Sequence, residues 1–325
     1  MRRLLVALLV SAILVALVAT VTKLHWREVA HTLSHLDWTL VALALLVYAA
    51  SYVGRGLRLQ VLMPGAASLA HATSISARHI FLAVIMPFRM GEAALPVMLI
   101  RECGRPFVES ASVLGIMRVL DLVAVASYLL LGLTLTAGSA VAASDGSQVG
   151  TRAALALAAL VAGLLLMRPV CRALAPLGRS HRRPVALIGK LAESVAALGT
   201  GQLARSTLIT LATWACTYGA CWILLRAMVV PPELGAVTSA VSFAQGLVGT
   251  TGLHLAAVMP VSPIASIGTW EAGWTTGYVL VGLPAAQAAT SAIVSHVVIF
   301  GFIALIGGAG WLARRPALVP VADGE

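Results

Sequence analysis

MPFRMGEAALP, residues 86–96, interrupts a tract that is otherwise Ile, Leu, Val, Ala and Met. Two prolines, a glycine, an arginine and a glutamate fall inside that run. Proline removes a backbone donor and clashes with the preceding turn, so Pro87 predicts the end of a helical arm. Glycine accepts backbone angles that other residues resist and permits close approach, the two roles expected of Gly91. Freed backbone groups cannot face lipid, so such a break is buried in protein or lines a wet cavity.

Composition makes lipid the relevant solvent. The chain is 60% hydrophobic and 10% charged, with a mean hydropathy of +0.96, against about 45–50% and about 25% in soluble domains. The fold class expected is all-α: a polytopic membrane protein with about six full spans and two broken, re-entrant helical hairpins arranged as an inverted repeat. The six spans fall at about 4–22, 39–57, 110–137, 152–167, 206–228 and 286–312. The start, MRRLLVALLVSAILVALVATV, resembles a signal peptide without a clear small-x-small cleavage site, and reads as a retained span.

The net charge of +10 does not point to nucleic acid, because the basic residues cluster between apolar runs. With the N-terminus in the cytoplasm, the basic segments at 55–58, 101–105, 168–190 and 314–315 all fall on the cytoplasmic side. The expected location is the cytoplasmic (inner) membrane, with both termini in the cytoplasm. The chain reads as a single integral membrane domain, 1–325. Its pseudo-repeat halves lie at about 39–137 and 204–313, joined by a basic cytoplasmic link at 168–203 whose VALIGKLAESVAALG can lie on the membrane surface.

A second break matches the first. MPVSPIASIGTWE at 259–271 also opens with Met-Pro, passes a glycine and reaches a glutamate. Its arms are expected at about 235–258 and onward to about 282, against about 74–86 and 91–101 for the first. By the orientation above the two breaks dip in from opposite sides, as interrupted helices do in transporters. Pro87, Pro260 and Gly268 are the helix-break residues. Arg89, Gly91, Glu92, Arg118, Asp121 and Glu271 are the candidates for a substrate path. A charge at the bilayer centre costs at least about 2.5–3.5 kcal/mol, so these groups must be partnered or wet. Arg118 and Asp121, three apart, share a helix face and can pair, for structure or for function.

These residues resemble the flippase-like domain family, also called the lysylphosphatidylglycerol synthase transmembrane region family. The resemblance rests on MPFRMGEAALPVMLIRECGRPFVESASVLGIMRVLDLVAV and on MPVSPIASIGTWEAG. The first matches a Pro-x-Arg-x-Gly-Glu/Asp element at Pro87, Arg89, Gly91 and Glu92, and an Arg-x-x-Asp element at Arg118 and Asp121. The second matches a late Pro…Gly-x-x-Glu element at Pro260, Gly268 and Glu271. Two departures are Leu95, where the family often has arginine, and Ser266-Ile267-Gly268, where it often has Gly-x-Gly. The resemblance implies lipid translocation or lipid-pathway work. The aminoacyl-transferase domain of two-part members is not expected, since ten residues follow Arg315.

The leading expectation is therefore movement of a lipid or lipid-linked headgroup between leaflets. Arg89 and Arg118 would attract phosphate, and Glu92, Asp121 and Glu271 would balance charge or carry a proton. The expected partner is a membrane lipid, either an anionic phospholipid or a polyprenyl-phosphate-linked lipid. The alternative is a non-transporting partner of a lipid-modifying enzyme, docked through 168–190. An enzyme is not expected, nor any cofactor or metal. His25, His31, His35 and Asp37 have a conceivable ligand spacing, but an interfacial helix with ordinary histidines accounts for them. His254 and His296 read as satisfied core histidines ahead of proton relays.

Overall fold

The computed structural model describes residues 2–140, 183–228, 240–258 and 263–313, with parts of 151–179. Helix α1 spans Arg2–Val21, α2 Trp26–Ser34 and α3 Trp38–Leu62. A hairpin follows, made of α4 (Leu69–Ile85), a 3-10 turn (Pro87–Ala93) and α5 (Ala94–Cys103). After it come α6 (Phe107–Ala140), α7 (Arg183–Ala197) and α8 (Thr200–Arg226). The second hairpin is α9 (Phe243–Val258), a turn (Ile264–Ser266) and α10 (Thr269–Leu280), and α11 (Ala285–Leu312) follows it.

Four of these helices, α3, α6, α8 and α11, are long and apolar enough to cross a membrane. They correspond to four of the six expected spans. The expected span 4–22 coincides with α1, while 152–167 lies largely outside the described residues. Leu46, Leu122, Leu208 and Leu305 on these four helices are all more than half exposed, which suits lipid and not water. The protein is a multi-pass membrane protein.

Polar breaks set the helix ends only in part. The expectation that α3 stops near residue 57 is overturned, because it continues to Leu62 and carries Arg55 and Arg58 into the bundle, 8% and 1% exposed. These two arginines are interior groups, so they drop out of the loop-charge argument. Asp37 accepts from the N–H groups of Thr39 and Leu40 as the α3 N-cap, and the His31 and His35 rings stack at 4.1 Å.

Both hairpins double back on themselves. In the first, Arg78 of α4 grips Glu102 of α5 through two hydrogen bonds of 2.7 Å. In the second, Gly249 and Gly252 of α9 meet Gly277 and Gly273 of α10 so closely that a Cβ on any of them would collide with the other helix. Small residues let backbones approach where lipid supplies no hydrophobic force between helices.

Packing is exchanged between the halves. Helices α3 and α8 form a broad contact, α6 packs on α9, α11 packs on α4, and the two turns touch. Near its C-terminus α11 crosses α4, with the Ser74 hydroxyl donating to the Gly310 carbonyl at 2.9 Å and Gly307 seated against Phe81. Its first half holds the second hairpin, where the Trp274 and Trp270 indoles donate to Ser291 and Ser295. The hairpins therefore open at opposite ends of the bundle and meet tip to tip inside it. Gly307 and Gly310 let α11 pack closely on α4, and Trp270 stacks on the His296 ring beside the second break.

Candidate functional site

The first break is built by its backbone. Met86 closes the last turn of α4 on the Leu82 carbonyl at 3.0 Å, and Pro87 starts a 3-10 turn. Phe88 and Arg89 then take left-handed angles, φ 54° and 57°, at a cost on the order of 1–3 kcal/mol each. The chain bends back so tightly that a Cβ on Gly91 would strike the Leu82 carbonyl. Gly91 is needed for approach. The unusual backbone angles expected of it belong to Phe88 and Arg89.

That bend carries two charges into the bundle. Arg89 Nη2 donates to Glu92 Oε1 at 3.1 Å. Arg118 of α6 donates to Glu92 through Nη2 and through Nε at 3.1 Å, and to Asp121 Oδ2 at 3.1 Å. Asp121 Oδ1 also accepts from Arg58 of α3 and from the Trp214 indole of α8 at 2.9 Å. Arg89, Glu92, Arg118, Asp121 and Arg58 thus alternate in sign along one chain of contacts. The chain joins the break to α6, α3 and α8.

His79 of α4 touches the middle of this chain, its Nε2 at 3.3 Å from Arg118 Nη2. Arginine can only donate, so Nε2 is the acceptor and the ring proton sits on Nδ1. Among the described residues Nδ1 is buried without a partner. Beside the chain, Arg55, Arg58, His79 and Arg118 line a cleft of about 10 Å³, room for about one water molecule. With Arg55 included, four guanidinium groups face two carboxylates. The cluster is electropositive.

The second break uses the same backbone device with other chemistry. Ala265 and Ser266 take φ of 53° and 58°, and Gly268 takes 94°. Pro263 immediately precedes this turn, whereas Pro260 lies outside the described residues. Glu271 Oε2 accepts from the Gly268 N–H at 2.6 Å, and Oε1 lies 2.6 Å from His296 Nδ1. His296 Nε2 reaches the Ala265 carbonyl at 2.9 Å, and Trp270 stacks on its ring at 4.9 Å. Ser11 and Leu14 of α1 cover Gly268.

Of the expected substrate-path residues, Arg89, Gly91, Glu92, Arg118 and Asp121 come together. Glu271 does not join them, since its hydrogen bonds go to His296 and Gly268, 5% exposed behind α1. His296 is a satisfied core histidine as expected, and the partner of Glu271. His254 packs edge-on to Trp214 and Tyr218, and among the described residues its Nε2 has no partner, so the same expectation fails for it. Sequence reasoning missed Arg55, Arg58, His79 and Trp214 as members of the cluster. A signal for His79 was present: His71, Ser74, Arg78 and His79 recur at helical spacing along α4.

Over residues 4–307 the chain matches a family model described as the lysylphosphatidylglycerol synthase TM region. No curated protein matches it.

Proposed function

The chain belongs to the lysylphosphatidylglycerol synthase TM region family, and from that premise we propose that it moves a lipid, or a lipid-linked headgroup, between leaflets. The observation that carries this reading is the alternating ion chain at the first break, set where the two hairpin tips touch. His79 and Arg118 lie ten and eleven residues from the ends of α4 and α6 nearest the 104–106 loop, about 15 Å along each helix. That is half of a hydrocarbon layer about 30 Å thick. Charges held there at such cost are the usual mark of a substrate path.

The hairpins are re-entrant on this reading, one from each leaflet, and the exchanged packing is that of an inverted repeat. The headgroup travels past the tips while its acyl chains stay in lipid. Glu92 acts as an internal anion: it holds Arg118 when no headgroup is present and yields it when one arrives. The membrane is the cytoplasmic membrane, with both chain termini in the cytoplasm.

The test is reconstitution in liposomes with fluorescent phosphatidylglycerol and, separately, a fluorescent polyprenyl phosphate. Wild-type protein is expected to accelerate leaflet exchange of at least one at least tenfold over empty vesicles, and Arg118→Gln to abolish that gain. Exchange no faster than in empty vesicles for both lipids sinks the reading.

A further inference from the structure

Arg55 is the cation that the ion chain leaves over. It stands one turn before Arg58 on α3 and is 8% exposed. Among the described residues no carboxylate and no hydrogen bond pairs it; its guanidinium carbon lies 6.0 Å from the centre of the Trp214 ring. At that distance a cation–aromatic contact is at the limit of its reach and does not by itself offset the cost of holding a charge within a membrane. The position is short of one anion.

Neighbouring glycines fix where Arg55 points. A Cβ on Gly54 would collide with Thr213 of α8, and a Cβ on Gly56 with Thr73 of α4. Residues 54 and 56 lie about 200° apart around a helix, so α3 touches α8 on one side and α4 on the other. Arg55, between them in angle, projects into the gap and lines the cleft with Arg58, His79 and Arg118. A second donor there is also unused, since among the described residues Arg58 Nε is buried without a partner.

We propose that Arg55 anchors a site for one phosphate group, with Arg58 Nε and Arg118 as the further donors. Planar guanidinium groups suit phosphate oxygens, which accept paired hydrogen bonds. A phosphate is larger than the water-sized cleft, so docking takes Arg118 from Glu92 and frees the carboxylate at the first break. The proposal rests on the lipid-path reading for the source of the phosphate, but the site itself can be measured without transport.

The experiment uses the full chain in uncharged, phosphate-free maltoside micelles at constant ionic strength. Inorganic phosphate is titrated by calorimetry, and dioleoyl phosphatidylglycerol by native mass spectrometry. The wild type is expected to bind one equivalent, Arg55→Gln to bind at least tenfold more weakly, and Arg55→Lys, which keeps the charge but loses the paired donors, to fall between the two. Binding of inorganic phosphate supports a site for the bare group, and binding of the lipid alone supports one for a headgroup held with its chains. Binding of neither, or wild-type affinity in Arg55→Gln, overturns the proposal. Should Arg55→Gln fail to fold, phenylglyoxal labelling of the wild type decides: Arg55 protected by the ligand supports the site, and Arg55 labelled at an unchanged rate overturns it. Arginine-dependent binding without leaflet exchange removes only the transport reading, while exchange with binding indifferent to Arg55 removes only this site.

Discussion

The two breaks share a backbone and differ in what they do with a glutamate. Each turns the chain with two successive left-handed residues, Phe88 and Arg89 in one, Ala265 and Ser266 in the other. Glu92 is then held by Arg89 and Arg118, cations of the break and of α6, and its side chain is 21% exposed. Glu271 is held by the N–H that begins its own helix and by a histidine stacked under Trp270. An ion pair whose cation lines a cleft has room to exchange partners, whereas a carboxylate satisfied by a helix cap and a buried ring has none to trade. On the lipid-path reading the first break responds and the second holds.

Substitutions can break or sharpen that contrast. Glu271→Ala strips partners from the Gly268 N–H and from His296, and each buried group left unsatisfied costs about 1–3 kcal/mol. Thermal or denaturant unfolding in detergent should show a loss of about 3 kcal/mol. Gly91→Ala forces a methyl onto the Leu82 carbonyl and should cost about 2 kcal/mol in the same measurement, as overpacking does. Glu92→Gln keeps an acceptor for Arg118, so stability should fall by about 1 kcal/mol or less while leaflet exchange drops at least tenfold. A stability loss equal to that of Glu271→Ala would erase the distinction between the breaks. Trp270→Phe removes the hydrogen bond to Ser295 and should cost about 1 kcal/mol, with the smallest effect on exchange, which stays unchanged.

Much of this was legible in the sequence because it is local. Pro87, Gly91 and Gly268 mark sharp changes of backbone direction, and Arg118 and Asp121 meet at a spacing any helix imposes. What joins them to the rest is not local. Asp121 finds Arg58 from 63 residues away and Trp214 from 93, separations that leave no periodic trace. Arg55 and Arg58 misled for a related reason. At the end of an apolar run, arginines read as loop charges until the neighbouring helices are in place to bury them. Glu271 looked like the counterpart of Glu92 because both follow a glycine, but the gap is one residue in the first break and three in the second. Three residues is the spacing that lets a glutamate cap its own helix.

The interlocked glycines of α9 and α10 have a mechanical consequence. At Gly249, Gly252, Gly273 and Gly277 backbone lies on backbone, with the Tyr278 ring and the Ala256 methyl packed tightly beside them, so the two helices have little room to rearrange. That hairpin is a stator. Any sliding between the halves has to be taken up by the other hairpin, whose helices meet through the longer levers of Leu95, Leu99 and the Arg78–Glu102 clasp.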